Sequence, residues 1–275
     1  MHIQPMLDLA EVQTDRTYGS WIVSYKGDQD CRKLADRHYN RIKYGTVGSP
    51  HWTRPGDNLI LRNADCTAVW VSWRSKYKRK DSYGYAWENV IFRNESTQLS
   101  SELIKMAMFA TVKEFGELPH DGFITYIDSE EVGTTHNHNP GYCYLKSGFV
   151  KQPKKSSKGL ICYKTDQAAL DLVLKEMGVV YYLEYCKHMI VVALRDGDFM
   201  EAEWFQEEAE NQLEILADLR EEMKNKNLKA WSSFSNPCTK LDLHMVTDPY
   251  CTWHIEDEYL KAIGLAEAFE SFEEE

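Results

Sequence analysis

Short apolar runs alternate with longer amphipathic segments over the first 165 residues. The runs are rich in β-branched and aromatic residues and are separated by turn residues, which is typical of strands. The amphipathic segments carry apolar residues at helical spacing. This pattern predicts an α/β (α+β) fold, in which helices flank a mixed central sheet. The predicted strands cover residues 59–61, 68–73, 87–93, 122–127 and 160–163, and the predicted helices cover 30–44 and 100–115.

The ends of the second helix can be predicted from single residues. Ser100 or Ser101 is expected to cap it, because a serine hydroxyl accepts a hydrogen bond from the first helical turn. Gly116 is expected to end it. Farther along, residues 139–147 predict a short helix or a turn.

The pattern changes after Asp166. Residues 168–177, 198–225 and 255–272 are predicted helices, and the middle one combines an acidic face with apolar residues such as Trp204 and Phe205. We therefore divide the chain into a domain of residues 1–165 and an acidic, mostly helical extension of residues 166–275. The charges follow the same division.

Residues 1–165 contain 23 Lys+Arg and 18 Asp+Glu, whereas residues 166–275 contain 9 and 25. Such an asymmetry indicates an anionic partner for the basic part. The acidic helices are either a solvated surface or a docking surface for a protein. A nucleic acid is one anionic partner of this kind.

Cysteine spacing and hydropathy indicate the compartment. The seven cysteines have no regular spacing, which argues against a disulfide framework and favours a reducing compartment. Apolar runs such as residues 189–194 are shorter than the roughly 18 residues of a membrane span. The first residues also lack the pattern of a signal peptide. We expect a cytoplasmic protein that does not enter a membrane.

A strand that runs into a helix start forms the first candidate site. Arg93 and Asn94 end one predicted strand, and Ser100 and Ser101 begin the following helix. The N–H groups and the positive dipole end of a helix start favour an anion such as a pyrophosphate. A serine-capped turn without any ligand gives the same pattern.

The second candidate site consists of a carboxylate and two tyrosines. Asp128 follows the predicted strand 122–127, at the edge where open α/β sheets bind ligands. It could act as a base or orient an amine, or it could only initiate a turn. Tyr142 or Tyr144 could protonate a leaving thiolate, unless both rings only fill the edge of the core. Cys143 as a nucleophile would need a histidine base and is a minor alternative.

Two segments supply candidates for nucleic-acid binding. On the first helix, His38 could line a base-binding cleft, with Tyr39 stacking on a base and Arg41 on a phosphate. A lone helical histidine is more often structural. The second segment is a basic, aromatic loop that suits a phosphate backbone, or is only a solvated hairpin tip. Its basic residues are Lys76, Lys78, Arg79 and Lys80.

The run His136-Asn137-His138, with Cys143 behind it, could also be read as metal ligands. A spacing of one residue between histidines is rare in structural zinc sites. The ββα finger that surrounds a His-Asn-His nuclease motif is not predicted either. We therefore assign no metal ligands.

In this order, these segments resemble the GNAT acyltransferase superfamily over most of residues 19–165. The block from Asn139 to Phe149 is the most distinctive, because an Asn, a Tyr and then a Gly-Phe pair precede a closing strand. Together with His38-Tyr39, Arg93-Asn94-Glu95 and Asp128, it is most similar to the phage Mom-type DNA-modification proteins. That GNAT-like family modifies the exocyclic amine of adenine in phage DNA, using acetyl-CoA, with a metal implicated.

The resemblance implies a GNAT-like sheet and a transferase that moves an acyl or acyl-derived group onto an amine of a DNA base. The cofactor would be acetyl-CoA or a related acyl-CoA, a metal ion remains a further candidate, and the site of action would be the host cytoplasm if the chain is phage-encoded. The implied catalytic residues are Asp128, Tyr142 or Tyr144, Arg93 and His38. The implied cofactor-binding residues are Arg93, Asn94, Ser100, Ser101 and Asn139.

One departure from the family pattern bears on the cofactor. GNAT enzymes place a Gly-x-Gly/Ala loop over the CoA pyrophosphate, whereas no glycine occurs between Arg93 and Ser101. Close approach of the backbone to a pyrophosphate is harder without glycine. Two other functions therefore stay open, namely a catalytically degenerate GNAT-fold module that binds nucleic acid or protein, and an N-acetyltransferase of small molecules or proteins.

Overall fold

The structure, a computed structural model, describes residues 16–43, 45–132 and 139–226 of the 275-residue chain. Eight strands form one mixed sheet in the spatial order β1-β2-β3-β4-β5-β6-β8-β7. All neighbouring strands are antiparallel except β5 and β6, which are parallel. The strands are β1 (Thr17–Tyr18), β2 (Trp21–Ser24), β3 (Asp57–Arg62), β4 (Ala68–Arg74), β5 (Trp87–Asn94), β6 (Phe123–Ile127), β7 (Phe149–Lys151) and β8 (Ile161–Thr165).

Helices cover both faces of this sheet. The first face carries α1, whose Cys31 and Leu34 pack on Val71 and Ile91 of β4 and β5. The second face carries α3 and the first part of α6, which share the main core with the sheet. The predicted mixed α/β fold is therefore confirmed. The helices are α1 (Gln29–Asp36), α2 (Tyr39–Lys43), α3 (Ser100–Phe115), α4 (Ser129–Val132), α5 (Tyr142–Leu145), α6 (Gln167–Asp196) and α7 (Phe199–Asn225).

Several predicted boundaries differ from the structure. The predicted helix 30–44 is divided at His38, which separates α1 from α2. The predicted serine cap of α3 is wrong, because Leu99 is the N-cap and its side chain makes no cap hydrogen bond. Gly116 ends α3 as predicted, in the left-handed region with φ of 69°. The short strands β1, β2 and β7 had not been predicted.

The parallel strands β5 and β6 part after three residue pairs. Trp87 pairs with Phe123, and Asn89 with Thr125, but the pairing stops there. β5 continues to Asn94 along β4, and β6 continues to Ile127 along β8. We call the paired half the closed end of the two strands and the diverging half the open end.

The predicted helices 168–177 and 198–225 correspond to part of α6 and to α7, and the predicted helix 255–272 lies outside the described residues. Asp166 caps α6 by accepting a hydrogen bond from the Ala169 N–H group. Leu170 and Val173 of α6 belong to the same core as the sheet. Beyond them α6 and α7 form an antiparallel hairpin with its own small core of Leu183, Cys186, Ile190, Phe205 and Ala209.

α6 is the one described helix that is long and apolar enough to cross a membrane, judged by length and composition only. Core helices of soluble proteins pass the same test. Glu176 of α6 is fully buried and pairs with Lys105 of α3 and Arg220 of α7. These ion pairs and the contacts with α3 are those of a core helix.

Candidate functional site

The side chains at the open end of β5 divide between the two faces of the sheet. Neighbouring residues of a strand point to opposite faces. Arg93 therefore reaches the α1 face, where its guanidinium donates to the Arg37 carbonyl at 2.7 Å. Asn94 reaches the α3 face, where its amide donates to Ser100 Oγ at 3.0 Å. The two residues were predicted to act together on one anion, but the structure places them on opposite sides.

His38 lies beside Arg93 at the junction of α1 and α2. Its ring stacks on Tyr39 with a centroid distance of 4.4 Å. Burial, and then the charge of Arg93, lower the pKa of His38 to about 4, so the imidazole is neutral at pH 7. Nδ1 accepts the Asn40 N–H group at 3.3 Å. The proton of the neutral ring then belongs on Nε2, which makes His38 a hydrogen-bond donor at that atom.

A carboxylate holds Arg93 next to His38. Glu95 accepts hydrogen bonds from both Arg37 and Arg93. The Arg37 bond, followed by the one from Arg93, lowers the pKa of Glu95 to about 2. The three side chains are each about a third to a half exposed. Neither Arg37 nor Glu95 had been predicted to take part in the site as a partner of Arg93.

Asp128 is the residue directly after β6 and lies on the same face. Its Oδ2 accepts from Lys43 Nζ at 2.6 Å, and its Oδ1 accepts from the Glu130 N–H group. The Lys43 bond is the main reason that the pKa of Asp128 is lowered. The Asp128 N–H group also donates to the Tyr39 hydroxyl at 3.2 Å. Asp128 is therefore an ionised carboxylate, and it suits orientation of an amine better than removal of a proton from one.

Tyr144 occupies the point where β5 and β6 part. Its hydroxyl donates to Asn89 Oδ1 at 2.6 Å, and Asn89 belongs to the last residue pair before the strands diverge. The side chain is buried, and burial raises the pKa of Tyr144 well above its usual range. The hydroxyl therefore keeps its proton. Asn89 had not been predicted, although an amide directly before the apolar run 90–92 is a signal for a buried polar contact.

Gly141 brings Tyr144 to this position. It adopts φ of 79° at the N-terminus of α5, and a Cβ there would lie 2.7 Å from both Ile127 and Tyr163. Only glycine allows the α5 segment to approach β6 and β8 this closely. The exposed Asn139 accepts the Tyr142 N–H group through its carbonyl and so helps to form the same turn.

The other candidates of this segment lie elsewhere. Tyr142 is 52% exposed, and its ring lies 5.5 Å from Lys146 Nζ. Burial raises the pKa of Cys143 to about 11, which opposes a role of this thiol as a nucleophile. Of the two predicted tyrosines, the geometry favours Tyr144.

The start of α3 lies on the opposite face from His38. Leu99 provides no side-chain cap, although its carbonyl accepts from the Glu102 N–H group at 3.0 Å. Ser100 and Ser101 stand at the first two helical positions, and the Ser101 carbonyl accepts from Ser147 Oγ. This helix start suits an anion.

Two arginines of the predicted nucleic-acid-binding set are structural instead. Arg41 is 5% exposed, pairs with Asp36 at 2.6 Å and donates to the Thr46 and Ser49 carbonyls. The side chain of Arg79 is buried as well, between Asp81 and Glu88. Buried, ion-paired guanidinium groups cannot reach a phosphate, so both predictions are corrected. Lys76, Lys78 and Lys80 are exposed, in agreement with a surface loop.

The residues His136-Asn137-His138 lie outside the described part of the chain. Within the part that the structure describes, no group of three or more His, Cys, Asp or Glu residues could hold a metal ion. The open end thus combines a neutral histidine, two ion-paired clusters and a buried tyrosine. Its role has to be inferred from this geometry, because a scan against protein-family models, a search of curated proteins and a search of solved structures give no match for this chain.

Proposed function

We propose that the sheet domain is a GNAT-like transferase that modifies an exocyclic amine of a DNA base in the cytoplasm. Adenine is the expected base, from the resemblance described above. The observation that carries the proposal is the divergence of β5 and β6 around a buried tyrosine. His38, Arg93 and Asp128 stand on one face of that opening, and a helix start without a side-chain cap stands on the other.

The start of α3 fits the anionic part of an acyl-CoA. Its first-turn N–H groups lack a side-chain cap, and Ser100 and Ser101 add hydroxyl groups there. An acyl-CoA held at this helix start would supply an activated acyl group as a thioester. Because Arg93 points to the other face, it is assigned to the acceptor and not to the cofactor. Asn94 keeps a supporting role, since its amide holds Ser100 and the Gln98 carbonyl.

The acceptor base would lie on the α1 face. Asp128 retains lone pairs beside its bonds to Lys43 and Glu130, and these would accept a hydrogen bond from the amine and orient it. His38 would donate from Nε2 to a ring nitrogen or a carbonyl oxygen. Tyr39, stacked on His38 and bonded to the Asp128 backbone, fixes both groups. Tyr39 would therefore position His38 and Asp128 and would not itself stack on the base.

The proton needed by the leaving group would come from Tyr144. Its hydroxyl stands at the vertex of the opening and stays protonated because it is buried. Tyr144 would have to release its hydrogen bond to Asn89 Oδ1 to donate this proton, and it would regain a proton from the acceptor amine. A positioned acid of this kind contributes on the order of 10²- to 10⁴-fold to a rate.

Nucleoside mass spectrometry of DNA from cells that express the protein would test the proposal. We expect a new modified nucleoside with the wild-type chain and a loss of at least about tenfold with Asp128→Asn. Asp57→Asn, a partly exposed aspartate of β3 that pairs with Arg74, is the matched control and should leave the product unchanged. The enzymatic role would be contradicted if DNA from these cells contained only the four ordinary nucleosides. The same result should then hold for DNA incubated with the purified protein and acetyl-CoA.

A binding module without chemistry is the second candidate. It is favoured by one observation, namely that Arg93, Asp128 and Tyr144 all have partners within the chain. The absence of glycine between Arg93 and Ser101 points the same way. In that case acetyl-CoA would give no thermal shift, duplex DNA would bind with a strong salt dependence, and the acidic α7 would serve a protein partner.

A further inference from the structure

One segment of the chain carries lysines and no acidic residue. Between Glu131 and Asp166 the sequence contains no Asp or Glu, but it contains six lysines. Four of them belong to the β7–β8 hairpin and are exposed, namely Lys151, Lys154, Lys155 and Lys158. The segment itself therefore contributes positive charge only, which favours a polyanionic partner.

The strand register places this hairpin at the open end. Ile161, the first residue of β8, pairs with Ile127, the last residue of β6. Lys151, the last residue of β7, pairs with Tyr163. The connection 152–160 therefore projects from the edge of the sheet at which β6 passes into Asp128. The lysines therefore lie at the open end of the sheet, on the strand pair beyond β6, and Lys151, which pairs with the core residue Tyr163, points to the α3 face.

The other basic loop lies at the opposite end. Residues 75–86 precede Trp87, which pairs with Phe123 at the closed end. The loop also folds its charges inward, since Asp81 and Glu88 engage Arg79, and Asp81 accepts from the Tyr126 hydroxyl. An acidic residue, Asp81, stands next to the exposed Lys80 and offsets part of the positive charge of this loop.

We propose that the β7–β8 hairpin is the phosphate-backbone contact through which duplex DNA is held at the open end. The choice of DNA as the partner rests on the proposed function, whereas the polyanion-binding surface rests on the hairpin itself. Lysine ammonium groups bind phosphates as point charges and confer no base preference. The hairpin therefore supplies affinity and register, and the residues around Asp128 meet the base.

The salt dependence of binding separates this surface from the other loop. The full chain is titrated against a 20-base-pair duplex between 50 and 200 mM salt, and the slope of log K against log salt counts the phosphate contacts at about 0.9 per contact. The triple variant Lys151→Gln, Lys154→Gln, Lys155→Gln should make the slope shallower by about 2 to 3 and weaken binding at least about tenfold at low salt. The matched triple variant Lys76→Gln, Lys78→Gln, Lys80→Gln should leave both unchanged.

All six residues are exposed, so thermal unfolding of both variants should match the wild type. Equal effects of the two triple variants, or an effect of the 76–80 variant alone, would overturn the proposal. So would a hairpin variant that loses binding to vesicles with anionic lipids but keeps its affinity for DNA.

The DNA-binding experiment and the nucleoside assay can fail independently of each other. Hairpin-dependent DNA binding without any modified nucleoside would support the DNA contact and reject the transferase. A modified nucleoside together with an unchanged salt slope in the hairpin variant would support the transferase and reject the contact.

Discussion

Two glutamates at opposite ends of β5 each bind two arginines, yet they stand in different surroundings. Glu88, at the closed end, pairs with Arg54 and Arg79 and has only 4% of its side chain exposed. Glu95, just beyond the open end, pairs with Arg37 and Arg93 and is 31% exposed. The residue types and the number of partners are the same. The difference lies in solvent access and in what each cluster adjoins.

The closed-end cluster ties segments of the chain together. Arg54 comes from the stretch before β3, and Arg79 from the loop before β5, so Glu88 fastens both to the sheet. The open-end cluster instead holds a positive charge beside His38, whose pKa it helps to lower. The closed-end cluster is thus part of the architecture, whereas the open-end cluster is partly exposed beside a neutral histidine, as the proposed site requires.

Stability measurements should separate the two clusters most strongly. Glu88→Ala leaves the buried Arg79 with Asp81 as its remaining partner, and we expect a loss of about 3 kcal/mol in the free energy of unfolding. Glu95→Ala removes two ion pairs whose side chains are a third to a half exposed, and it should cost less than about 1 kcal/mol. Urea denaturation followed by tryptophan fluorescence measures both. Equal losses of unfolding free energy in the two variants would show that the two clusters have the same structural role, and would contradict the distinction drawn between them.

The second prediction concerns acid stability at the open end. The pKa of His38 is about 4 in the folded chain and near 6.5 in the unfolded chain. The folded state thus binds fewer protons between these values, and the stabilisation present above pH 6.5 is lost as the pH falls toward 4. We expect the wild type to lose about 2 kcal/mol more than His38→Gln between pH 7 and 4.5.

Urea denaturation of both proteins at the two pH values gives this difference directly, because the other titrating groups are common to both. Parallel losses in the wild type and in His38→Gln would mean that the histidine is solvated and charges freely. The role of His38 Nε2 as the donor of a neutral imidazole would then be rejected as well.

The strands of the sheet could be predicted from sequence because their apolar runs are long enough to show a pattern. β3, β4, β5, β6 and β8 each contain such a run. β1, β2 and β7 were not predicted, because strands of two, four and three residues are too short to show a clear pattern. Arg93 and Asp128 were predicted for a similar reason, because each follows or ends a run that is visible in the sequence.

Burial of a charged residue could not be predicted in this way. Arg41, Arg79 and Arg93 look alike in the sequence, and each has an acidic residue within five positions. Packing decides that the first two are enclosed and the third is about a third exposed. Strand alternation alone, however, separates Arg93 from Asn94, because neighbouring residues of a strand point to opposite faces.

The third prediction addresses the boundary between the two ends, where Tyr144 bonds to Asn89. Tyr144→Phe removes the hydroxyl and leaves the buried Asn89 Oδ1 without this donor, which should cost about 1 kcal/mol of unfolding free energy. Tyr142→Phe is the control, because its ring is half exposed and its loss should be within about 0.5 kcal/mol. Thermal or urea unfolding checks both values.

These small losses make product formation the decisive readout, because both variants stay folded at the assay temperature. If Tyr144 supplies the proton, Tyr144→Phe should form at least about 10²-fold less modified nucleoside, whereas Tyr142→Phe should match the wild type. If Tyr144→Phe instead keeps full activity while it loses stability, its hydroxyl only closes the vertex of the strands. The proton would then have to come from the solvent side of the opening. The hydrogen bond between Tyr144 and Asn89 would, like the ion pairs of Glu88, only stabilise the fold.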